Sequence, residues 1–182
     1  MEKDKNIMPL IIKGARQIGK TESIETFANN NYKSIVEINF ALNKQYLDIF
    51  DNGFDIDTII KNITFKNPKF NFIPGKTLIF FDEIQACINC ATSLKSFRLD
   101  GRFDVICSGS LMWINYNEIE SNSVWNKTDY EMYSMDFEEF LWAKGYNEEL
   151  IEDLYNCMKE LKPLTSFQFE AMLDDFIPFF IS

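Results

Sequence analysis

The stretch from Leu10 to Thr21 has the spacing of glycines, lysine and threonine that a phosphate-binding loop requires. Gly14 and Gly19 enclose four residues, and Lys20 and Thr21 follow directly, which matches the pattern G-x-x-x-x-G-K-[ST]. A helix that begins at Lys20 would point the positive end of its dipole at an anion. The expected ligand is ATP, with the lysine on the β- and γ-phosphates and the threonine hydroxyl on Mg²⁺.

The four residues between the glycines are part of the same loop, and backbone N–H groups of this loop are expected to surround the phosphates. An ordinary glycine-rich turn is the alternative. The apolar run before the loop and the helical pattern after it favour phosphate binding. The expected nucleotide-binding residues are Gly14, Ala15, Arg16, Gln17, Ile18, Gly19, Lys20 and Thr21.

A second candidate feature is the carboxylate pair Asp82 and Glu83, which directly follows the apolar run at 78–81. In P-loop ATPases such a pair is the Walker B motif, whose first carboxylate orders the Mg²⁺ shell and whose second activates the attacking water. Acidic residues also commonly follow buried strands without a catalytic role, but the phosphate loop in the same chain favours catalysis. We expect Asp82 and Thr21 to bind the metal and Glu83 to be the base.

Ser108 begins the sequence Ser-Gly-Ser at 108–110, directly after a predicted strand at 103–107. Its hydroxyl would hydrogen-bond the attacking water or the γ-phosphate, so Ser108 is a candidate catalytic residue. A plain Ser/Gly turn is the alternative interpretation.

Parallel strands that alternate with helices would bring these residues together, because ligands bind at the carboxyl edge of open α/β sheets. The predicted strands lie at 9–12, 35–40, 77–81, 103–107 and 130–135. The predicted helices lie at 20–29, with Ile24, Phe27 and Ala28 inward, and at 44–50, 55–63, 91–98, 147–161 and 165–176, with a further capped helix after Asp136.

The predicted fold is therefore an α/β P-loop NTPase three-layer sandwich with a mainly parallel sheet. We expect residues 1–135 to form the core and 136–182 to form a helical segment. Residues 113–128 are predicted to have no regular secondary structure.

The composition limits the classes of function. The 182 residues carry a net charge of −10, which disfavours direct nucleic-acid binding by this segment. The chain has no histidine, so imidazole bases and histidine metal sites are excluded. Its three arginines are Arg16, Arg98 and Arg102.

Four cysteines are too few and too scattered for a disulfide scaffold and are typical of a reduced, cytoplasmic setting. The charged start of the chain and the absence of a run of about 20 apolar residues predict a soluble protein with no membrane partner. Cys87 and Cys90 form a lone C-x-x-C, which we interpret as two semi-buried thiols because a zinc site needs four ligands.

Four stretches together resemble a prokaryotic AAA-type ATPase family with a G-A-R-Q-V-G-K-T loop. They are PLIIKGARQIGKT at 9–21, LIFFDEIQ at 78–85, SGSL at 108–111 and MDFEEFLWA at 135–143. The resemblance covers about residues 8–176 and implies an AAA-type core that binds ATP and Mg²⁺. It places Lys20, Thr21, Asp82 and Glu83 in the roles given above and Ser108 in the sensor position.

The sequence also departs from this family. Asn126-Lys127 stands where members have Gly-Lys or Gly-Arg, and members begin further upstream and continue into a lid and a C-terminal nuclease-like domain. We therefore expect an excised ATPase domain or a shortened member that starts but does not complete the lid. Such a chain would bind Mg-ATP but hydrolyse it slowly, faster at higher protein concentration if Arg98 or Arg102 served a neighbouring copy.

Two other functions remain open. A small-molecule P-loop kinase would clamp phosphates with several lid arginines, of which this chain offers few. A non-catalytic nucleotide-binding or interaction fragment would bind ATP without turnover. A homo-oligomer or another protein is the expected macromolecular partner.

Overall fold

The computed structural model describes residues 7–110 and 127–181. The chain divides into two compact units between Tyr133 and Ser134.

The first unit contains a five-stranded sheet in which every neighbouring pair of strands is parallel. The strand order is β2-β3-β4-β1-β5. The central strand β3 is buried along its whole length, as its nearly continuous apolar sequence predicts for a parallel sheet covered on both faces. The strands are β1 Leu10–Gly14, β2 Ser34–Asn39, β3 Thr77–Asp82, β4 Asp104–Ser110 and β5 Thr128–Glu131.

Helices cover both faces of this sheet. On one face, Val36, Ile38, Ile79 and Phe81 belong to a large apolar cluster with residues of α2 and α3. On the other face, α1 packs against a smaller cluster that includes Phe80. The helices are α1 Lys20–Asn31, α2 Ile56–Lys66 and α3 Ile88–Asp100, with 3₁₀ helices at Lys44–Phe50 and Ile84–Ala86. This architecture confirms the predicted α/β P-loop NTPase sandwich.

Several local predictions differ from the structure. Ile24 and Ala28 of α1 are buried as predicted, but Phe27 is 47% exposed and makes a T-shaped ring contact with Tyr32, with the ring centroids 6.1 Å apart. The fifth strand lies at Thr128–Glu131 rather than at 130–135. The predicted irregular stretch at 113–128 falls almost wholly outside the described residues.

The described residues of the second unit form three helices, α4 Phe137–Ala143, α5 Glu148–Lys159 and α6 Ser166–Ile181. The predicted capping box at the start of α4 is present. Asp136 accepts a hydrogen bond from the backbone of Glu139 at 2.8 Å, and the Glu139 carboxylate accepts one from the backbone of Asp136 at 3.0 Å.

Aromatic and aliphatic side chains hold the second unit together. The ring of Phe179 lies 5.4 Å from Phe137 and 5.3 Å from Phe140, while Leu141 and Ile151 are buried.

Among the helices that the structure describes, none combines the length and the apolar character needed to cross a membrane.

Candidate functional site

The predicted phosphate loop connects the carboxyl end of β1 to the start of α1. Gly14 ends the strand where a side chain has no room, because an added Cβ would overlap the backbone oxygen of Met132 and the Cδ1 atom of Ile18. Gln17 and Gly19 have left-handed backbone conformations, with φ of 64° and 87°. Alternation of right- and left-handed residues is the backbone geometry of anion-binding concavities.

Lys20 folds its side chain back over this loop. Its Nζ atom donates to the backbone oxygen of Gly14 at 3.1 Å and to that of Ala15. In the described part of the chain the ammonium therefore has neutral carbonyl partners and forms no ion pair within 4.0 Å. Its charge is free to be neutralised by an anionic ligand at the loop.

Asp82 lies at the end of β3 and is the point on which four elements converge. Its Oδ2 atom accepts from Asn39 Nδ2 at 2.8 Å and lies 3.5 Å from Thr21 Oγ1. Its Oδ1 atom accepts from the hydroxyl of Ser108 and, at 2.9 Å, from the backbone of Glu83. Asp82 is only 5% exposed, yet all these partners are neutral. A buried carboxylate is normally paired with a cation, so this arrangement suits one supplied by a ligand.

The sheet register explains why three of these side chains meet. Asn39 pairs directly with Asp82, and Phe81 pairs with Cys107, one residue before Ser108. Side chains alternate between the two faces along a strand, so Asn39, Asp82 and Ser108 form a row on the face that α1 covers.

Asn39, near the end of the predicted strand at 35–40, is a candidate site residue that the motifs do not include. Its Oδ1 atom accepts from the backbone of Ala41 at 3.0 Å and of Leu42 at 2.9 Å. These bonds fix the amide so that its NH₂ group faces Asp82. The signal available in the sequence was a polar side chain at the carboxyl end of a predicted strand, as at Asp82 and Ser108.

Glu83 follows Asp82 in a left-handed conformation, with φ of 55°, and precedes the 3₁₀ helix Ile84–Ala86. Its Oε2 atom accepts from Nε2 of Gln85. Oε1 of Gln85 is buried and has no hydrogen-bond partner among the described residues. In the sequence Gln85 is the last residue of the string LIFFDEIQ, and its contact with Glu83 depends on this tight turn.

An open cleft of about 910 Å³ joins the phosphate loop to the turn after β3. This volume falls within the range of small-molecule and cofactor sites. Arg16, Gln17, Gly19, Lys20, Thr21, Asp82, Glu83 and Gln85 are among the residues that line it. Ser108 is connected to the cleft through its hydrogen bond to Asp82.

A second carboxyl pair lies beside this cleft. Burial raises the pKa of Glu37, and the negative charges of Glu25 and Asp82 and a hydrogen bond with Glu25 raise it further. Glu25 lines the cleft, whereas Glu37 lies on β2.

The candidate arginines lie in different places. Arg16 lines the cleft. Arg102 follows α3 and forms ion pairs at 2.7 Å with both Asp57 and Asp100. Its backbone oxygen accepts from Gly75, just before β3, which places Arg102 at the amino edge of the sheet. Arg98 lies in the last turn of α3, which ends near the same edge.

The cysteines of the C-x-x-C pair are buried rather than semi-buried. Cys87, Cys90 and Cys107 are buried free thiols, and burial raises the pKa of Cys87 and of Cys90. Within the ranges that the structure describes, no group of three or more His, Cys, Asp or Glu side chains has a metal-binding arrangement.

Comparison with solved structures finds similarity to a crystal structure of a DNA replication initiation factor. The two share 14% identity and a TM-score of 0.45 over 80% of this chain and 45% of that chain, so the present chain spans less than half of its length. A structure of Drosophila ORC bound to GC-rich DNA and Cdc6 shares 10% identity and a TM-score of 0.43 over 96% of this chain and 78% of that chain. No curated protein matches the sequence.

A family model described as an AAA domain matches residues 6–141. The match runs from the segment before β1 into α4 and includes the phosphate loop, Asp82, Glu83 and Ser108. The chain belongs to the AAA domain family.

Proposed function

We propose that the chain binds ATP with Mg²⁺ at the cleft and hydrolyses it slowly. The observation that carries the proposal is the placement of Asp82, a buried carboxylate with only neutral partners in the described chain, 3.5 Å from the hydroxyl of Thr21. Lys20 lines the same cleft.

The residues present fit a magnesium ion. Mg²⁺ prefers hard oxygen ligands and usually binds through one or two protein groups together with phosphates and water. The hydroxyl of Thr21 and the carboxylate of Asp82 are such ligands, and Asn39 and Ser108 hold the carboxylate in place. When bound, the ion would neutralise charge on the phosphates.

The phosphate loop fits the triphosphate. Gly14 through Thr21 would bind it, with the backbone enclosing the phosphates and α1 directing its amino end towards them. Lys20 would exchange its carbonyl partners for phosphate oxygens, because its positive charge is attracted more strongly to an anionic oxygen than to a neutral one. Arg16 is the arginine at this cleft and would add a second positive charge.

Glu83 is proposed as the base that takes a proton from the attacking water, because its carboxylate lines the cleft next to the proposed metal ligand. Ser108 is proposed to support the reaction through Asp82, whose Oδ1 atom its hydroxyl contacts. Slow turnover is proposed because a phosphoryl-transfer site lacking an arginine finger loses about 10³–10⁵ in rate. Arg102 is already paired with two carboxylates.

The test is to measure ATP binding by calorimetry with and without Mg²⁺, and phosphate release over a range of protein concentrations. We expect Mg²⁺-dependent binding and slow release that rises more steeply than protein concentration if copies assemble. Failure to bind ATP by a folded chain would overturn the proposal, and binding without release would leave the nucleotide-binding fragment as the function.

A further inference from the structure

We propose that Gln85 is a positioning residue that fixes the carboxylate of Glu83 at the cleft. This inference rests on the proposed role of Glu83 as the base and adds the residue that orients it. Gln85 itself is not assigned to ATP or Mg²⁺ binding.

The backbone turn brings the two side chains together. After Asp82 the chain turns sharply, with Ala86 donating to the backbone oxygen of Glu83 at 2.9 Å and Cys87 to that of Ile84 at 2.9 Å. Gln85 lies within this turn, and its Nε2 atom donates back to Oε2 of Glu83. Both side chains line the cleft.

The direction of this hydrogen bond follows from the chemistry of the two groups. An ionised carboxylate only accepts, so the NH₂ group of Gln85 faces Glu83 and the amide oxygen points away. That oxygen is buried without a partner in the described chain, which is unfavourable for a polar atom. A glutamine side chain that pointed to water would avoid this cost. The contact with the carboxylate therefore determines the orientation of the amide.

The contact leaves the two carboxylate oxygens of Glu83 in different situations. Oε2 is held by Gln85, whereas no hydrogen bond to Oε1 is found in the described residues. A base needs one oxygen available for the proton and a fixed orientation towards the attacking water. Glu83 has a left-handed backbone conformation and lies outside regular secondary structure. Its carboxylate is therefore oriented by the hydrogen bond from Gln85, two residues later.

The first test needs no nucleotide. In NMR spectra of the nucleotide-free chain, the side-chain NH₂ signals of Gln85, assigned by their loss in Gln85→Leu, should be shifted from the usual glutamine position. They should return to that position in Glu83→Ala. Signals at the usual position in the wild type, unchanged by Glu83→Ala, would overturn the proposal.

The second test separates positioning from nucleotide binding. Gln85→Leu keeps a similar shape without the donor and should lower kcat roughly 10- to 100-fold while leaving the Kd for Mg-ATP unchanged. In a Glu83→Gln background the same change should have no further effect, because the oriented base is already gone. Gln45→Leu, at an exposed glutamine outside the cleft, is the matched control and should leave kcat unchanged.

The outcomes distinguish the two proposals. A wild type that neither binds nor hydrolyses ATP overturns the proposed function, and the NMR signals still report on the Gln85 contact. Equal kcat for the wild type and Gln85→Leu, with an active wild type, overturns the positioning role alone. A rise in Kd with unchanged kcat does the same, because it assigns Gln85 to nucleotide binding.

Discussion

Arg102, at the amino edge of the parallel sheet, differs from Asp82 and Lys20, at its carboxyl edge, in the charge of its hydrogen-bond partners. At the amino edge, Arg102 is paired with Asp57 and Asp100 at 2.7 Å, so opposite charges meet within the chain. At the carboxyl edge, Asp82 has only neutral hydrogen-bond donors in the described structure, and Lys20 donates only to backbone oxygens.

This difference separates charges that stabilise the fold from charges available to a ligand. A surface ion pair contributes about 0–1 kcal/mol to stability, and its two charges already neutralise each other. A buried carboxylate and a lysine that have only neutral hydrogen-bond partners keep their full charges, and these charges can attract a bound group of opposite charge. The comparison predicts that substitutions of Lys20, Asp82 and Glu83 change binding and catalysis, whereas substitution of Arg102 changes mainly stability.

The largest effect is expected for Glu83→Gln. The amide keeps the size of the side chain but cannot take a proton, so phosphate release should fall about 10²–10⁴-fold while Mg-ATP still binds. Release and binding would be measured on the same preparation. Turnover at the wild-type rate would remove Glu83 from the role of base.

Lys20→Ala should weaken Mg-ATP binding severely, by about 10- to 100-fold or more, because a charged hydrogen bond is worth about 1.5–3 kcal/mol. Lys20 is bonded only to backbone oxygens in the described chain, so the fold should remain intact by circular dichroism. Lys33→Ala, at an exposed lysine before β2, is the matched control and should bind normally. Unchanged affinity in a folded Lys20→Ala protein would contradict the assignment of the loop.

Asp82→Asn should reduce the dependence of ATP binding on Mg²⁺ more than it reduces binding without the metal. The amide removes the negative charge while retaining a side chain that Asn39 and Ser108 can contact. A titration with Mg²⁺ at fixed ATP would show a shift to higher metal concentration. An unshifted titration would place the metal ligand elsewhere.

Arg102→Ala tests the amino edge. It removes ion pairs with Asp57 and Asp100, of which the Asp57 carboxylate is largely exposed, so unfolding free energy should fall by at most about 1 kcal/mol. Mg-ATP affinity should not change. Loss of concentration-dependent phosphate release in this variant, with normal binding, would instead show that Arg102 serves a neighbouring copy.

The sequence predicts the parts of this site that depend on local pattern. Gly14, Lys20 and Thr21 are recognisable because phosphate binding requires fixed spacing in a single loop, and Asp82 because it follows an uninterrupted apolar strand. The buried strand β3 is identified by the same run, to within one residue at its end.

The remaining features depend on strand register and on local backbone conformation. Asn39 joins the site through the register of β2 against β3, and Gln85 through a left-handed turn at Glu83, neither of which the sequence pattern specifies. Phe27 has helical spacing for the core, but the sheet surface under α1 accommodates Ile24 and Ala28 without it. Periodicity identifies candidates for burial, and packing selects among them.

The smallest effect is expected for Glu37→Gln, whose effect on stability should depend on pH. Burial first, then Glu25 and Asp82, raise the pKa of this carboxyl in the folded chain above the usual 4.5. A raised folded pKa gives a contribution to stability that is fully present below pH 4.5 and is lost as pH rises through the folded value. Glu37→Gln should therefore stabilise the chain relative to the wild type near neutral pH but not at pH 4.

Thermal unfolding of the wild type and Glu37→Gln at several pH values would measure the difference in Tm. We expect this difference to be small, because Glu37 is only partly buried and solvent screens its charge. Glu22→Gln, on an exposed face of α1, is the control for loss of one negative charge. A difference in Tm that is constant across the pH range, or equal to that of Glu22→Gln, would show that folding does not raise the pKa of Glu37. A difference that grows with pH would show that the carboxyl edge holds its excess negative charge at a cost to stability, as expected where a cationic ligand is to bind.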